Sequence, residues 1–415
     1  MQKPPATKSS KEPGNASVSL TAAEWGLAAG ALPAIAVGTG APIGLAHWVL
    51  MAHYLAIAYG CHILRTTRLF PDALTLFRNG CLLLTAGSLA CAAAPDAYTL
   101  VAARLPQAFG IACLLAARPM GNGSWLPIIP SIIGLLAGSL IGNLIGWRVV
   151  FLLAASMGFV AAVREWRRET HGCDSLEVHS LPQQPSQRHP MLLACGLACI
   201  IVPFNAYCDF RTFGLAEAIL LLVGVVLFAV YARQIITNLV ASRSTLLTLW
   251  LGAVVAGLCL LPALFHIREF SAPVPALGII VCGLVLQLTR HAPPHVGRFA
   301  PVAGFLIIAG ALWETCSWAG MESVFLSIAT AAAVGAGLGL TWTGSVLRPV
   351  PLFSGLAVGI YAASYFLEFI PASACSMDRE FLREESTVLR LAAGIALAGL
   401  GWSLACALTG RTSQA

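Results

Sequence analysis

Charge is scarce in this chain. Of its 415 residues only 10% are Asp, Glu, Lys or Arg, against about a quarter in soluble domains. A water-soluble protein of this size needs a polar surface that such a composition cannot supply. Soluble enzymes, nucleic-acid binders and disulfide-built secreted scaffolds are excluded as first readings. Lysine is confined to Lys3, Lys8 and Lys11. A phosphate-cradling GxxxxGK[ST] loop needs a lysine that no later segment contains, so the chain is not expected to bind nucleotide or pump on ATP. No CxxC occurs; Cys61, Cys81, Cys113, Cys259 and Cys282 lie in apolar runs and read as small buried residues. HExxH, paired intramembrane aspartates and Ser/His pairs at catalytic spacing are all missing. His291 and His295 are separated by two prolines, which spoils a helical metal pair. Neither an enzyme, a metal site nor a cofactor is expected.

What is present is hydrophobic: 58% of residues are apolar and the mean hydropathy is +0.81. About 20 apolar residues cross a bilayer core as a helix, and backbone hydrogen bonding in lipid requires each span to be helical. Breaking the chain at charge, Pro and Gly clusters predicts fourteen spans, near 20–39, 45–64, 73–94, 98–118, 126–145, 148–164, 191–208, 214–232, 245–265, 273–289, 299–318, 322–344, 351–371 and 388–408. The weakest are 148–164 and 191–208, so twelve is the alternative count. The expected fold is an all-α polytopic membrane protein. Residues 1–19 form a cytoplasmic polar tail without a signal peptide; 20–164 hold six helices; 165–190 form a cytoplasmic linker rich in Gln, Pro, Ser and His; 191–232 hold two intervening helices; and 245–408 hold six more. With both termini in the cytoplasm, inner loops carry most of the Lys and Arg, as positive-inside topology demands. Arg148, Arg211, Arg268, Arg379 and Arg383 are the outer exceptions. The Ala- and Arg-rich, Lys-poor composition suits a bacterial inner membrane.

Ionisable residues inside spans are functional suspects by default. His53, eight residues into span two, is the most central titratable group, and its ordinary pKa of about 6.5 suits proton exchange. The competing reading is a lone histidine packed between helices. Arg104 lies about 9 Å from the outer end of span four at 1.5 Å per residue, where it either snorkels or faces a central cavity. Thr21-Ala-Ala-Glu24 has the form of a capping box, in which Glu24 satisfies backbone donors at a helix start. Gly134, Gly138 and Gly142 repeat at four-residue spacing, a small face suited to close helix packing.

Several stretches between 24 and 164 resemble one family. Ala31-Leu32-Pro33 followed by His47-Trp48-Val49-Leu50, the run from Leu100 through Arg104 and Gln107 to Gly110, and Gly146-Trp147-Arg148-Val149-Val150-Phe151 are similar, in order and spacing, to helix-one, helix-four and helix-six motifs of the major facilitator superfamily. The branch they resemble is the fourteen-helix drug:proton antiporters. The resemblance implies two rocking helical bundles, a proton gradient as driving force, and export of small amphipathic or drug-like compounds. It makes Glu24 a proton-coupling carboxylate, with His53 and Arg104 as further candidates, and Arg104 with Gln107 a pair facing the substrate cavity. It also departs from the family. The cytoplasmic gate survives only as Arg65, Arg68 and Asp72, the Gly-Pro of helix five is absent, and the loop between helices four and five is short. Those losses motivate an alternative: a degenerate, non-transporting membrane protein acting as assembly partner or sensor. Expected partners are a small-molecule substrate and the lipid bilayer.

Overall fold

The computed structural model describes residues 14–41, 46–67, 73–117, 128–170, 243–265, 273–289, 293–317, 324–343, 349–367 and 379–408, with four isolated positions between 219 and 226. These residues form twelve helices: α1 Gly14–Thr39, α2 Trp48–Thr67, α3 Ala73–Ala93, α4 Ala97–Ala117, α5 Ile128–Leu144, α6 Trp147–Thr170, α7 Arg243–Phe265, α8 Pro273–Thr289, α9 Pro294–Ser317, α10 Val324–Thr341, α11 Pro349–Leu367 and α12 Arg379–Leu408. Seven of them are long and apolar enough to cross a membrane, and α2, α5, α8 and α10 contain shorter apolar stretches. The all-α polytopic fold is as expected. The two intervening helices at 191–208 and 214–232 lie outside the described residues, apart from four exposed helical positions: Ile219, Leu222, Val223 and Val226.

Helix ends differ from the apolar runs in three places. Helix α1 begins at Gly14, inside the segment assigned to the polar tail; α6 runs on to Thr170, into the linker; and α12 starts at Arg379, nine residues before the apolar run at 388. In each case the helix continues past the hydrocarbon-length stretch, because intrahelical hydrogen bonds do not stop where hydrophobicity does.

The helices pack as two six-membered bundles of the same design. In the first, α1 lies on α5, α4 on both α2 and α3, and α6 on α3. In the second, α7 lies on α11, α10 on both α8 and α9, and α12 on α9. Adding six to each helix number converts one set of contacts into the other. The bundles meet along α2 against α11 and along α5 against α8, a pair of contacts that the same operation interchanges. An internal two-fold repeat therefore organises the fold, as in transporters built from structural repeats.

Between helices that face lipid on their other side, close approach rather than hydrophobicity drives association. The α1–α5 contact shows how. A Cβ on Gly134 would strike the backbone of Ala23, one on Gly138 that of Leu27, and ones on Gly26 and Gly30 the backbone of α5. Gly142 is looser, its nearest neighbour being the Ala34 methyl at 3.2 Å from such a Cβ. The glycine stripe thus fixes α5 on α1 within one bundle, rather than forming a surface between bundles. Gly335 and Gly339 on α10 meet α8 in the same manner in the second half, and Gly257 and Gly359 bring α7 and α11 together. Outward faces carry large apolar side chains such as Ile133, Leu140, Leu284, Leu306 and Phe325, all exposed as a lipid-facing surface requires.

Candidate functional site

The interior of the first bundle holds a polar network. Arg104 on α4 and Glu24 on α1 are 0% and 1% exposed, and Arg104 Nη1 donates to Glu24 Oε1 at 2.5 Å. The same Nη1 donates to Gln107 Oε1 at 2.5 Å, while Arg104 Nε donates to the Val49 carbonyl of α2 at 3.2 Å. His53 on α2 places Nε2 3.3 Å from Glu24 Oε2 and Nδ1 3.4 Å from the Arg104 carbonyl. Beyond Gln107 the network reaches α3: Gln107 Nε2 donates to Ser88 Oγ at 2.8 Å, and the Cys91 thiol donates to Gln107 Oε1 at 3.6 Å. Four helices are tied together through one guanidinium. Its five donors in a fixed fork suit this task, which a lysine could not perform.

Local sequence explains the arrangement. Residues 104 and 107, one turn apart, share a face of α4. Gly87 of α3 lets the Gln107 backbone approach, since a Cβ there would stand 2.5 Å from the Gln107 nitrogen. Gly110, next on the α4 motif, packs where a Cβ would come within 2.5 Å of the Leu84 nitrogen. The helix-six motif divides its work. Trp147 is buried and fills the space over Gly38 of α1, and Arg148 donates to the Ala94 carbonyl at 3.0 Å, satisfying the end of α3. Phe151 lies under the Arg104 guanidinium at 5.6 Å, a cation–π contact inside the bundle, and meets Trp147 edge-on at 6.1 Å.

Three expectations change. Glu24 is not a helix-start residue, because α1 begins ten positions earlier and the Thr21–Glu24 pattern sits within the helix. Arg104 does not snorkel: its side chain is wholly enclosed. His53 is not a lone packed histidine, since Glu24 and Arg104 face both of its ring nitrogens. Arg68 and Asp72 lie outside the described residues; Arg65 ends up in α2, with its side chain likewise outside the description. Glu314 and Arg390 are exposed on α9 and α12, away from any interior. Sequence reasoning missed Ser88, Cys91 and Tyr54. Tyr54, next to His53, is fully buried, its hydroxyl has no partner, and its ring lies 5.8 Å from Phe353 of α11 in the other bundle. No pattern in the sequence marks these three.

Beside the network, between the bundles, lies a cavity of 360 Å³. Its walls come from the first half through α1 and α5 (Trp25, Ser131) and from the second half through α7, α8, α10 and α11 (Cys259, Cys282, Val334, Phe353). On α10 the lining runs from Ser327 to Leu338, about 16 Å along the helix at 1.5 Å per residue. No charged side chain is among the described lining residues. Trp25, on the wall, adjoins Glu24, inside the bundle.

No family model and no curated protein matches this chain. Solved structures do. The chain superposes on the tetrameric peptide transporter PepTSo2 with a TM-score of 0.63 and 15% identity, covering 96% of this chain and 98% of that one. A peptide transporter POT in complex with sulfate gives 0.61 and 15%, covering 97% and 96%. A bacterial homologue of the human drug peptide transporters PepT1 and PepT2 gives 0.63 and 14%, covering 96% and 98%. The two-bundle fold is that of these transporters. At such identities the likeness carries the fold alone, and it does not single out the drug:proton antiporter branch.

Proposed function

We propose that this chain is a proton-coupled secondary transporter, moving small molecules by alternating access between its two bundles. The observation that carries the reading is the Glu24–Arg104 pair with His53 in contact, enclosed in one bundle beside a cavity shared by both. Glu24 and Arg104 neutralise each other where neither touches water. Adding a proton, to Glu24 or to His53, gives the network a net positive charge in a low-dielectric interior. An uncompensated buried charge is strongly unfavourable. The protonated bundle therefore favours any conformation that admits water or a counter-charge, which is the bias that coupling requires. Tyr54, Cys91 and Ser88 are the other polar groups around the network, and none of them balances that charge.

The direction we propose is export in exchange for protons, following the helix-one, helix-four and helix-six motifs, with the protein in an inner membrane and both termini cytoplasmic. The test is a pH-sensitive dye inside proteoliposomes, challenged with a panel of amphipathic compounds. Substrate-evoked pH change that disappears in Glu24→Gln and in Arg104→Ala is the expected result. Absence of any response from folded protein favours the non-transporting, scaffold-like alternative. A second reading, peptide transport, has the solved neighbours in its favour. A response to dialanine but not to uncharged compounds would establish it. The uncharged cavity wall speaks against it, because peptide termini would enter the cavity without partners.

A further inference from the structure

The cavity wall narrows the substrate class, an inference that rests on the transporter reading above. Its described lining holds no Asp, Glu, Lys, Arg or His. The nearest buried charges, Glu24 and Arg104, already satisfy each other inside the first bundle. The hydroxyls on the wall are also engaged: Thr315 donates to the Ala311 carbonyl at 2.8 Å and shares a 2.6 Å hydrogen bond with Thr330, and Thr21, Ser131 and Ser327 have interactions of their own within the protein. One lining group differs. The indole N–H of Trp25 has no acceptor.

We infer that the cavity binds a neutral, mainly apolar molecule with aromatic or aliphatic bulk and a single hydrogen-bond acceptor, which the Trp25 indole engages, and that it rejects zwitterionic peptides and ions. A charged ligand would lose its hydration and gain no counter-charge. A neutral acceptor loses one hydrogen bond to water and recovers it from an indole that has nothing else to donate to. Pockets of a few hundred Å³ lined by apolar groups with few polar contacts are the usual sites for such molecules. Because Trp25 adjoins Glu24 on α1, occupancy of the cavity acts directly on the segment that carries the carboxylate.

Benzophenone is a suitable probe: two rings, one carbonyl acceptor, no charge, and photochemical labelling of whatever C–H bonds it contacts. Protein in nanodiscs is labelled over a concentration series, corrected with empty nanodiscs, and the labelled peptides are mapped by mass spectrometry. Diphenylmethane (the same shape without the acceptor), 4-benzoylbenzoate (an anion) and dialanine serve as competitors. Saturable labelling on α8 and α10 is expected, displaced by diphenylmethane only at higher concentration and not by the anion or the dipeptide. Trp25→Phe is expected to weaken benzophenone about 3- to 10-fold, the size of one hydrogen bond, while leaving diphenylmethane unchanged. A second variant, Ala331→Trp on the other bundle's wall, fills the cavity and is expected to abolish saturable labelling. Equal competition by 4-benzoylbenzoate or dialanine overturns the ligand class, and equal weakening of both neutral ligands by Trp25→Phe overturns the role of the indole. Labelling confined to lipid-facing peptides overturns the site. Binding here needs no gradient, so these outcomes are independent of whether Glu24→Gln alters flux.

Discussion

Replacing Glu24 with Gln preserves shape and hydrogen-bonding capacity but deletes one charge, and this isolates the electrostatic part of the network. Glu24 and Arg104 are both enclosed, with Nη1 and Oε1 2.5 Å apart. With charge centres about 4 Å apart and an effective dielectric constant of about 20, their attraction is about 4 kcal/mol. Removing one partner of a buried pair typically destabilises by about 3–5 kcal/mol, because the other charge stays buried and unpaired. Arg104 cannot relieve this by deprotonating, and its remaining bonds, to Gln107 and the Val49 carbonyl, are to neutral acceptors. Glu24→Gln and Arg104→Met should therefore each destabilise by about 3–5 kcal/mol. The double variant should lose far less than the sum, leaving a coupling energy of about 3 kcal/mol between sites that additive behaviour would put near zero. The assay is reversible unfolding in mixed detergent for wild type, both singles and the double. Additive losses, or a Glu24→Gln protein as stable as wild type, would refute the argument that the pair is mutually dependent and with it the charge basis of coupling.

Other parts of the structure make separate predictions. Gly138→Leu places a side chain against the Leu27 backbone with nowhere to move and should prevent α1–α5 docking, read as loss of folded protein by size-exclusion; Gly142→Ala, facing only alanines at 3.2–3.4 Å, should fold. Tyr54→Phe removes a buried hydroxyl that has no partner and should be neutral or stabilising by up to about 1 kcal/mol, whereas Tyr54→Ala should destabilise by about 3–5 kcal/mol through the cavity it leaves; unfolding titrations distinguish them. Asp96, exposed in the turn before α4, accepts the Thr99 backbone N–H at 2.8 Å, and that bond holds its carboxyl below the usual carboxylate range. A lowered folded-state pKa gives stability that is present above the ordinary carboxylate pKa, about 4, and lost as pH falls through the folded value. Asp96→Ala should therefore speed hydrogen exchange at the start of α4 at neutral pH, and the difference from wild type should vanish in acid.

Much of this architecture is legible in the sequence, because a bilayer imposes a length of apolar helix that composition reveals directly. Which face of each helix turns inward is not legible. In a soluble helix the buried stripe stands out against a polar one; here Leu140 faces lipid and Leu135 the interior, and both are leucines. The same ambiguity misplaced Arg104. Counting residues from the span's end gave its depth correctly but said nothing about direction, and burial between α1, α2 and α4 depends on direction alone. Glu24 shows the opposite failure. Thr21 and Glu24 do carry a capping pattern, but the helix had begun in the polar tail, where no apolar residue announced it. Ser88 and Cys91 were invisible because small polar residues are commonplace in membrane helices and only Gly87, by letting α4 approach, gives them a partner.

The repeat also explains why the site is one-sided. Contacts of α1 to α6 recur in α7 to α12 almost helix for helix, so the backbone gives both halves the same capacity to enclose polar groups. Yet every fully buried charge among the described residues is in the first half; the second half buries only Ser and Thr as polar residues. A symmetric scaffold with charge on both sides would hold two networks, each resisting hydration, and protonating one would leave the other closed. With charge on one side, a single protonation changes the energy of one bundle against an inert partner. The α2–α11 contact, where Tyr54 meets Phe353, then lies directly between the bundle that responds and the one that does not. Moving a buried carboxylate–arginine pair to the equivalent helices α7 and α10 would restore symmetry, and by this reasoning would weaken the dependence of flux on the pH gradient rather than double it.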